Sequence, residues 1–160
     1  MQTFFRTILI GATLAVGAAA VASAAGKTDP VVGTWTLNLE KSKFTPGPAP
    51  KSQTRTYAQT EQGISLTVTG VAADGSAISQ QSTFKYDGKD YAISGSADYD
   101  AISLKKVNGS TVKSQMKLGG KVVGSTTRTI STHGKVLTLR TKATNAKGAP
   151  YDYVAVYDKQ

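Results

Sequence analysis

Apolar residues recur at every second position through short stretches of this chain, and glycine-marked turns divide the stretches. Residues 64–69 alternate strictly, with Ile64, Leu66 and Val68 on one side and Ser65, Thr67 and Thr69 on the other. A β-strand with one buried face requires this period of two. Gly63, Asp74-Gly75, Asp87-Gly88, Asn108-Gly109, Gly119-Gly120, His133-Gly134 and Lys147-Gly148 mark the turns. Strands are predicted over 31–39, 53–59, 64–71, 77–86, 91–94, 101–107, 111–118, 121–131, 136–144 and 151–158, and no segment carries a helical stripe. A chain of successive hairpins has to bury one face and hide its edges, and closing into a barrel does both. The pattern therefore predicts an all-β fold, an antiparallel up-and-down β-barrel of about eight to ten strands. Asn108-Gly109 predicts a type I′ turn, with positive φ at both residues. Pro46, Pro48 and Pro50 forbid a central strand, so 41–50 reads as an extended loop across one barrel mouth. The outward parity carries Thr, Ser, Gln and Lys, whereas an outer-membrane barrel needs an apolar exterior; the barrel is expected in water.

The ends refine this picture. Residues 1–24 read as a secretory signal peptide: Arg6 supplies positive charge, 8–21 is apolar, and Ala22-Ser23-Ala24 has the small-x-small form of a cleavage site. The mature chain, 25–160, is then a single barrel domain by length. It contains no cysteine, which removes disulfides, thiolate metal sites and a cysteine nucleophile. Export without cysteine fits a bacterial envelope protein, periplasmic or extracellular.

Charge is unevenly spread. The chain carries 19 Lys+Arg against 10 Asp+Glu, a net of +9. Residues 25–100 hold seven basic and eight acidic residues, whereas 101–160 hold eleven basic and two acidic. In an up-and-down barrel successive strands are neighbours, so the basic half becomes one flank. Lys105, Lys113, Lys117, Lys121, Arg140 and Lys142 form its outward face. That face either attracts an anionic envelope component or keeps the protein solvated. Nucleic acid is disfavoured, because no aromatic residues interleave with these lysines.

The inward parity is more polar than a dry core tolerates. Gln80, Ser82, Ser114, Thr126 and Thr141 lie on it, and Phe84 shares the face of Gln80. Buried polar groups need partners, so this parity points to a wet or ligand-bearing interior. Arg128 shares parity with Val122 and Ile130 and is read as inward. Its partner is either an anionic ligand head or, at a rim, an aspartate or solvent. Tyr151, Tyr153 and Tyr157 share one face of the last strand, with Ala155 leaving a gap; they form either a cavity wall or ordinary core.

Val31-Val32-Gly33-Thr34-Trp35-Thr36-Leu37, running into Lys43-Phe44, resembles the first strand of the calycins, which include the lipocalins and the fatty-acid-binding proteins. Val156-Tyr157-Asp158-Lys159 resembles the last strand of the fatty-acid-binding proteins. Arg128-Thr129-Ile130, His133-Gly134-Lys135 and Leu137-Thr138-Leu139 are similar to their penultimate hairpin. The resemblance implies a lipocalin-like barrel with Trp35 plugging one end and a small hydrophobic or amphiphilic molecule inside. It also implies that Arg128 and Tyr157 occupy two positions that hold a ligand carboxylate. Ala155 stands where a further arginine is expected, and the proline-rich stretch replaces a helical lid.

The candidate ligand-binding residues are thus Trp35, Gln80, Phe84, Arg128, Tyr151, Tyr153 and Tyr157. No catalytic set, cofactor or metal site is expected. His133 is the one histidine, with no serine–aspartate pattern or ligand cluster around it. Asp98 and Asp100 read as turn formers.

Overall fold

The computed structural model describes residues 27–160, so the signal-peptide reading of 1–24 lies outside the described residues. Ten strands follow one another: β1 Gly33–Thr45, β2 Ser52–Thr60, β3 Gly63–Val71, β4 Ala77–Phe84, β5 Asp87–Ser94, β6 Ala101–Lys106, β7 Thr111–Leu118, β8 Lys121–Ile130, β9 Val136–Thr144 and β10 Pro150–Lys159. Each pairs antiparallel with its sequence neighbours, and β1 pairs with β10, closing the barrel without a free edge. The all-β up-and-down barrel expected from the alternation is the observed fold.

Four local expectations are corrected. The segment 41–50 is not wholly a loop, because β1 continues to Thr45 and only 46–51 cross the mouth. A register shift between Asn38 and Lys43 lets pairing with β10 resume at Lys43 opposite Val154. Ser42 fills that bulge: its hydroxyl donates to the Asn38 carbonyl at 2.6 Å and accepts the Val156 N–H at 2.9 Å. The Asn108-Gly109 turn is not type I′, since neither residue has positive φ. The Asn108 side-chain carbonyl instead accepts the N–H groups of Ser110 and Thr111 at 3.0 and 2.9 Å. Gly119 and Gly120, at φ 56° and 81°, have the positive φ values that a tight two-residue hairpin demands. Val122 does not share the inward face of Arg128: a shift after Met116 turns it outward, 57% exposed. Finally, Asp98 and Asp100 tie neighbouring loops together, accepting the N–H groups of Ala146 and Gly119, both at 3.0 Å.

One end of the barrel is shut by Val31 and Trp35, both fully buried, with the indole N–H donating to the Val31 carbonyl at 2.8 Å. Above them Tyr57, Leu66, Val68, Phe84, Leu137 and Leu139 fill the interior. The weakest seam lies between β4 and β5, paired only at Gln81–Ser94 and Ser82–Ile93. There the Ser82 hydroxyl donates to the Ala92 carbonyl at 2.8 Å.

Candidate functional site

Strand alternation delivers two arginines to the interior from nearly facing walls. On β8, Thr126, Arg128 and Ile130 point inward, and Arg128 is only 6% exposed. On β2, Arg55 stands opposite Trp35 of β1 and Val68 of β3, two core residues. Tyr57 contacts both guanidiniums, its ring centroid 5.9 Å from Arg55 and 5.5 Å from Arg128. Arg55 Nε donates to the Tyr57 hydroxyl at 3.1 Å, and Arg128 Nη2 donates to the Tyr86 hydroxyl at 2.7 Å.

These contacts extend into an alternating ladder of cations and rings. Tyr157 faces Arg55 at 5.8 Å, Tyr86 faces Arg128 at 5.5 Å, and Lys106 Nζ sits 4.5 Å from the Tyr86 centroid. The ladder ends at Asp29, 2.7 Å from Lys106. Cation–ring contacts of this kind contribute about 2 kcal/mol when desolvated and bring no net negative charge to the guanidiniums.

The ladder's electrostatics follow from this crowding. Burial by itself raises the Tyr57 phenol, but the charges of Arg55 and Arg128 outweigh it and hold the phenol below a free tyrosine. Burial pushes Tyr99 up to about 12 and raises Tyr157 as well. Asp29 stays below the usual carboxylate range: burial opposes this, and Lys106 and the Val31 N–H override it.

Arg55, Arg128, Tyr57, Tyr99, Ser114 and Thr126 border an internal chamber of about 70 Å³, whose remaining wall is mainly apolar. A dry cavity of roughly 150 Å³ holds benzene, so this chamber fits a head group or a few waters rather than a chain. Its polar wall is a cross-strand row in which Ser114 faces Thr126, Thr126 faces Thr141, and Thr141 faces Tyr153. Thr126 and Thr141 share a hydroxyl hydrogen bond of 2.8 Å. At the proline-rich mouth a second concavity of about 290 Å³ is lined by Phe44, Pro48, Pro50, Ile78, Tyr153 and Tyr157, among others. Tyr153 borders both spaces.

The seven candidates from the sequence separate accordingly. Arg128, Phe84 and Tyr153 line the chamber. Tyr157 is buried beside it, its hydroxyl bonded to the Gln53 amide oxygen. Tyr151 stacks on Tyr153 at 5.9 Å, and Gln80 accepts the Tyr99 hydroxyl at 3.4 Å. Trp35 does not border the chamber; it belongs to the closed end, with Lys159 Nζ 5.1 Å from its ring. Sequence reasoning missed Arg55, Tyr57 and Tyr99. Arg55 was detectable, because it shares the inward parity of Tyr57 on the same strand. Tyr99 was not, because it belongs to the 95–100 loop.

The six basic residues lie on adjacent strands β6 to β9. Lys105 is directly opposite Lys113, Lys113 opposite Thr127, and Thr127 opposite Arg140. Lys117 pairs with Asp90 at 2.8 Å and Lys142 with Asp152 at 3.4 Å. Among the described residues, Lys105, Lys113, Lys121 and Arg140 make no salt bridge.

No family model and no curated protein matches the chain. Among solved structures it is similar to the zebrafish ileal bile acid-binding protein, crystallised with cholic acid. That match has 13% identity and a TM-score of 0.46, and it covers 82% of this chain and 99% of that one.

Proposed function

We propose that this chain is an exported β-barrel that binds a small amphiphile with an anionic end. The observation that carries the reading is Arg128: its side chain is buried, and its Nε has no hydrogen-bond partner. A guanidinium taken out of water requires an acceptor, and an incoming anion supplies one. The anionic end occupies the arginine chamber, and the apolar part lies toward the mouth concavity lined by Phe44, Ile78 and the prolines. Carrying rather than converting the ligand is the reading we favour; the proton-moving groups that border the chamber are the tyrosines Tyr57, Tyr99 and Tyr153. Export, to the periplasm or beyond the cell, is supported by the signal-peptide pattern of 1–24.

The test is to purify the protein from its own host and analyse an organic extract by mass spectrometry. A stoichiometric acidic amphiphile is expected. A neutral occupant, or unchanged binding of anilinonaphthalene sulfonate after Arg128→Ala, overturns the reading.

A second reading concerns the outside. Lys105 and Lys113 face each other, and neither makes a salt bridge among the described residues, although Asp87 is the β5 partner of Lys105. They border a polar concavity of about 470 Å³ with Ser103, Gln115, Ser125 and Thr127. Like charges directly opposed on a sheet destabilise it. An anionic envelope polymer laid across this face offsets that cost.

A further inference from the structure

The interior holds two inward-facing guanidiniums, Arg128 buried and Arg55 partly so, and no anion borders them in the chamber. No aspartate or glutamate borders the arginine chamber. Among the described residues neither Arg55 nor Arg128 makes a salt bridge. Asp29, whose charge reaches Arg128, is already committed: it lies 2.7 Å from Lys106 and accepts the Val31 N–H at 3.0 Å. Arg55, Arg128, Lys106 and Asp29 together therefore keep two uncompensated positive charges. Phenol oxygens and ring faces offset only part of this, because they carry no net charge.

We infer that the chamber receives a compact tetrahedral dianion, the phosphoryl head of a phosphate monoester or the free ion, held between Arg55 and Arg128. The inference rests on the interior anion site proposed above and narrows it. A monocarboxylate neutralises one guanidinium and leaves the other unpaired in a low-dielectric space. A dianion balances both and offers enough oxygens for the two guanidinium forks. The 70 Å³ chamber suits a head of this size. Ser114 and Thr126 line its other wall, with hydroxyls bonded to the Thr126 carbonyl at 3.4 Å and the Thr141 hydroxyl at 2.8 Å, respectively.

Calorimetric titration at fixed ionic strength tests this with hexyl phosphate, hexyl sulfate, hexanoate and inorganic phosphate. Hexyl sulfate has the same tetrahedral shape as hexyl phosphate and half its charge. At pH 8 hexyl phosphate should bind at least ~10-fold tighter than hexyl sulfate or hexanoate, the effect of one additional charge-assisted contact. Its advantage should shrink at pH 5.5, where the phosphoryl group loses its second charge. No histidine or carboxylate borders the chamber, but Tyr57 does, with its phenol held below a free tyrosine. Hexyl sulfate, which keeps its charge across this range, is therefore the control for titration of the protein. Arg55→Gln should abolish the preference, and Arg55→Lys should restore part of it. Inorganic phosphate binding as tightly as hexyl phosphate identifies the free ion as the occupant; a clear gain from the hexyl chain identifies the ester. Equal binding of all three hexyl compounds overturns the dianion and leaves the amphiphile reading intact. No saturable binding of any probe overturns both, and these comparisons on the unaltered protein need no variant to fold.

Discussion

Arg128 carries a cost that the fold does not relieve. Its Nε lies buried without a partner, and such a donor costs about 1–3 kcal/mol. Its two ring contacts, to Tyr57 and Tyr86, return roughly as much. Arg128→Met keeps most of the volume and removes the charge. In urea denaturation without added anion the variant should be as stable as the parent within about 1 kcal/mol, or more stable, while anion binding disappears. A loss above about 3 kcal/mol would instead make the guanidinium a structural post. The tyrosines around it give a second reading of the same field. Phenolate absorbance should show one of the seven tyrosines ionising before free tyrosine, and Tyr57→Phe should delete that early step. Tyr99 should ionise near 12. Because its folded value lies above the unfolded one of about 10, Tyr99 stabilises the barrel below pH 10, and that contribution is lost as pH rises through 10 to 12. Tyr157 acts in the same direction. Tyr57 acts in the opposite one: its contribution appears only above the unfolded value and vanishes as pH falls through its folded value. Tyr86, Tyr91 and Tyr151 are raised too, so with five phenols against one the barrel should lose stability in alkali, as a pH series of urea midpoints would record.

At the scale of the strand, alternation was legible wherever pairing was regular. β7 and β9 keep the bounds read from the sequence, 111–118 and 136–144, since each is a clean run between glycine turns. What sequence could not give was the place of bulges. A single inserted residue flips every later side chain, which is why Val122 was set on the wrong face and why β1 was cut short before Ser42. Arg128 was placed correctly only because its strand resumes alternation after the irregularity. Arg55 went unnoticed for another reason: a charged residue in a strand rich in Thr and Gln looks like surface unless Tyr57 is recognised as its inward neighbour. The sheet's own weak point was also invisible, because it arises where β4 and β5 diverge after two paired positions. Amides of 87–90 should exchange with solvent faster than those of β9, which is laddered along its length on both sides. Ser82→Ala, which removes the bond to the Ala92 carbonyl, should cost about 1 kcal/mol and speed exchange across that seam alone. Equal protection of both regions would mean that the divergence has no energetic consequence.

For the whole molecule, the barrel's closure converts an asymmetry along the chain into an asymmetry in space. Strands β6 to β9 are consecutive around the wall and carry the basic residues outward. On the facing side, Thr34 and Thr36 of β1 stand opposite Thr56 and Thr54 of β2, which in turn face Thr67 and Thr69 of β3. One side is cationic and the other a neutral hydroxyl surface, so the molecule should orient in a field and approach a polyanion by a single flank. The two anion-seeking features of the protein are therefore separable by salt. Exposed lysines are screened over a Debye length of about 8 Å at physiological ionic strength, whereas the buried Arg128 and partly buried Arg55 are screened less. Retention on an immobilised sulfated polysaccharide should collapse between about 50 and 300 mM salt, and the double variant Lys105→Glu, Lys113→Glu should remove most of it. Affinity for a small anion in the chamber should change little under either treatment, because both act on the outer wall. If the double variant also lost the interior site, the outer lysines would be acting through the barrel as a whole. If salt weakened both equally, the chamber would be open to solvent, and its arginines would be part of the same exposed field.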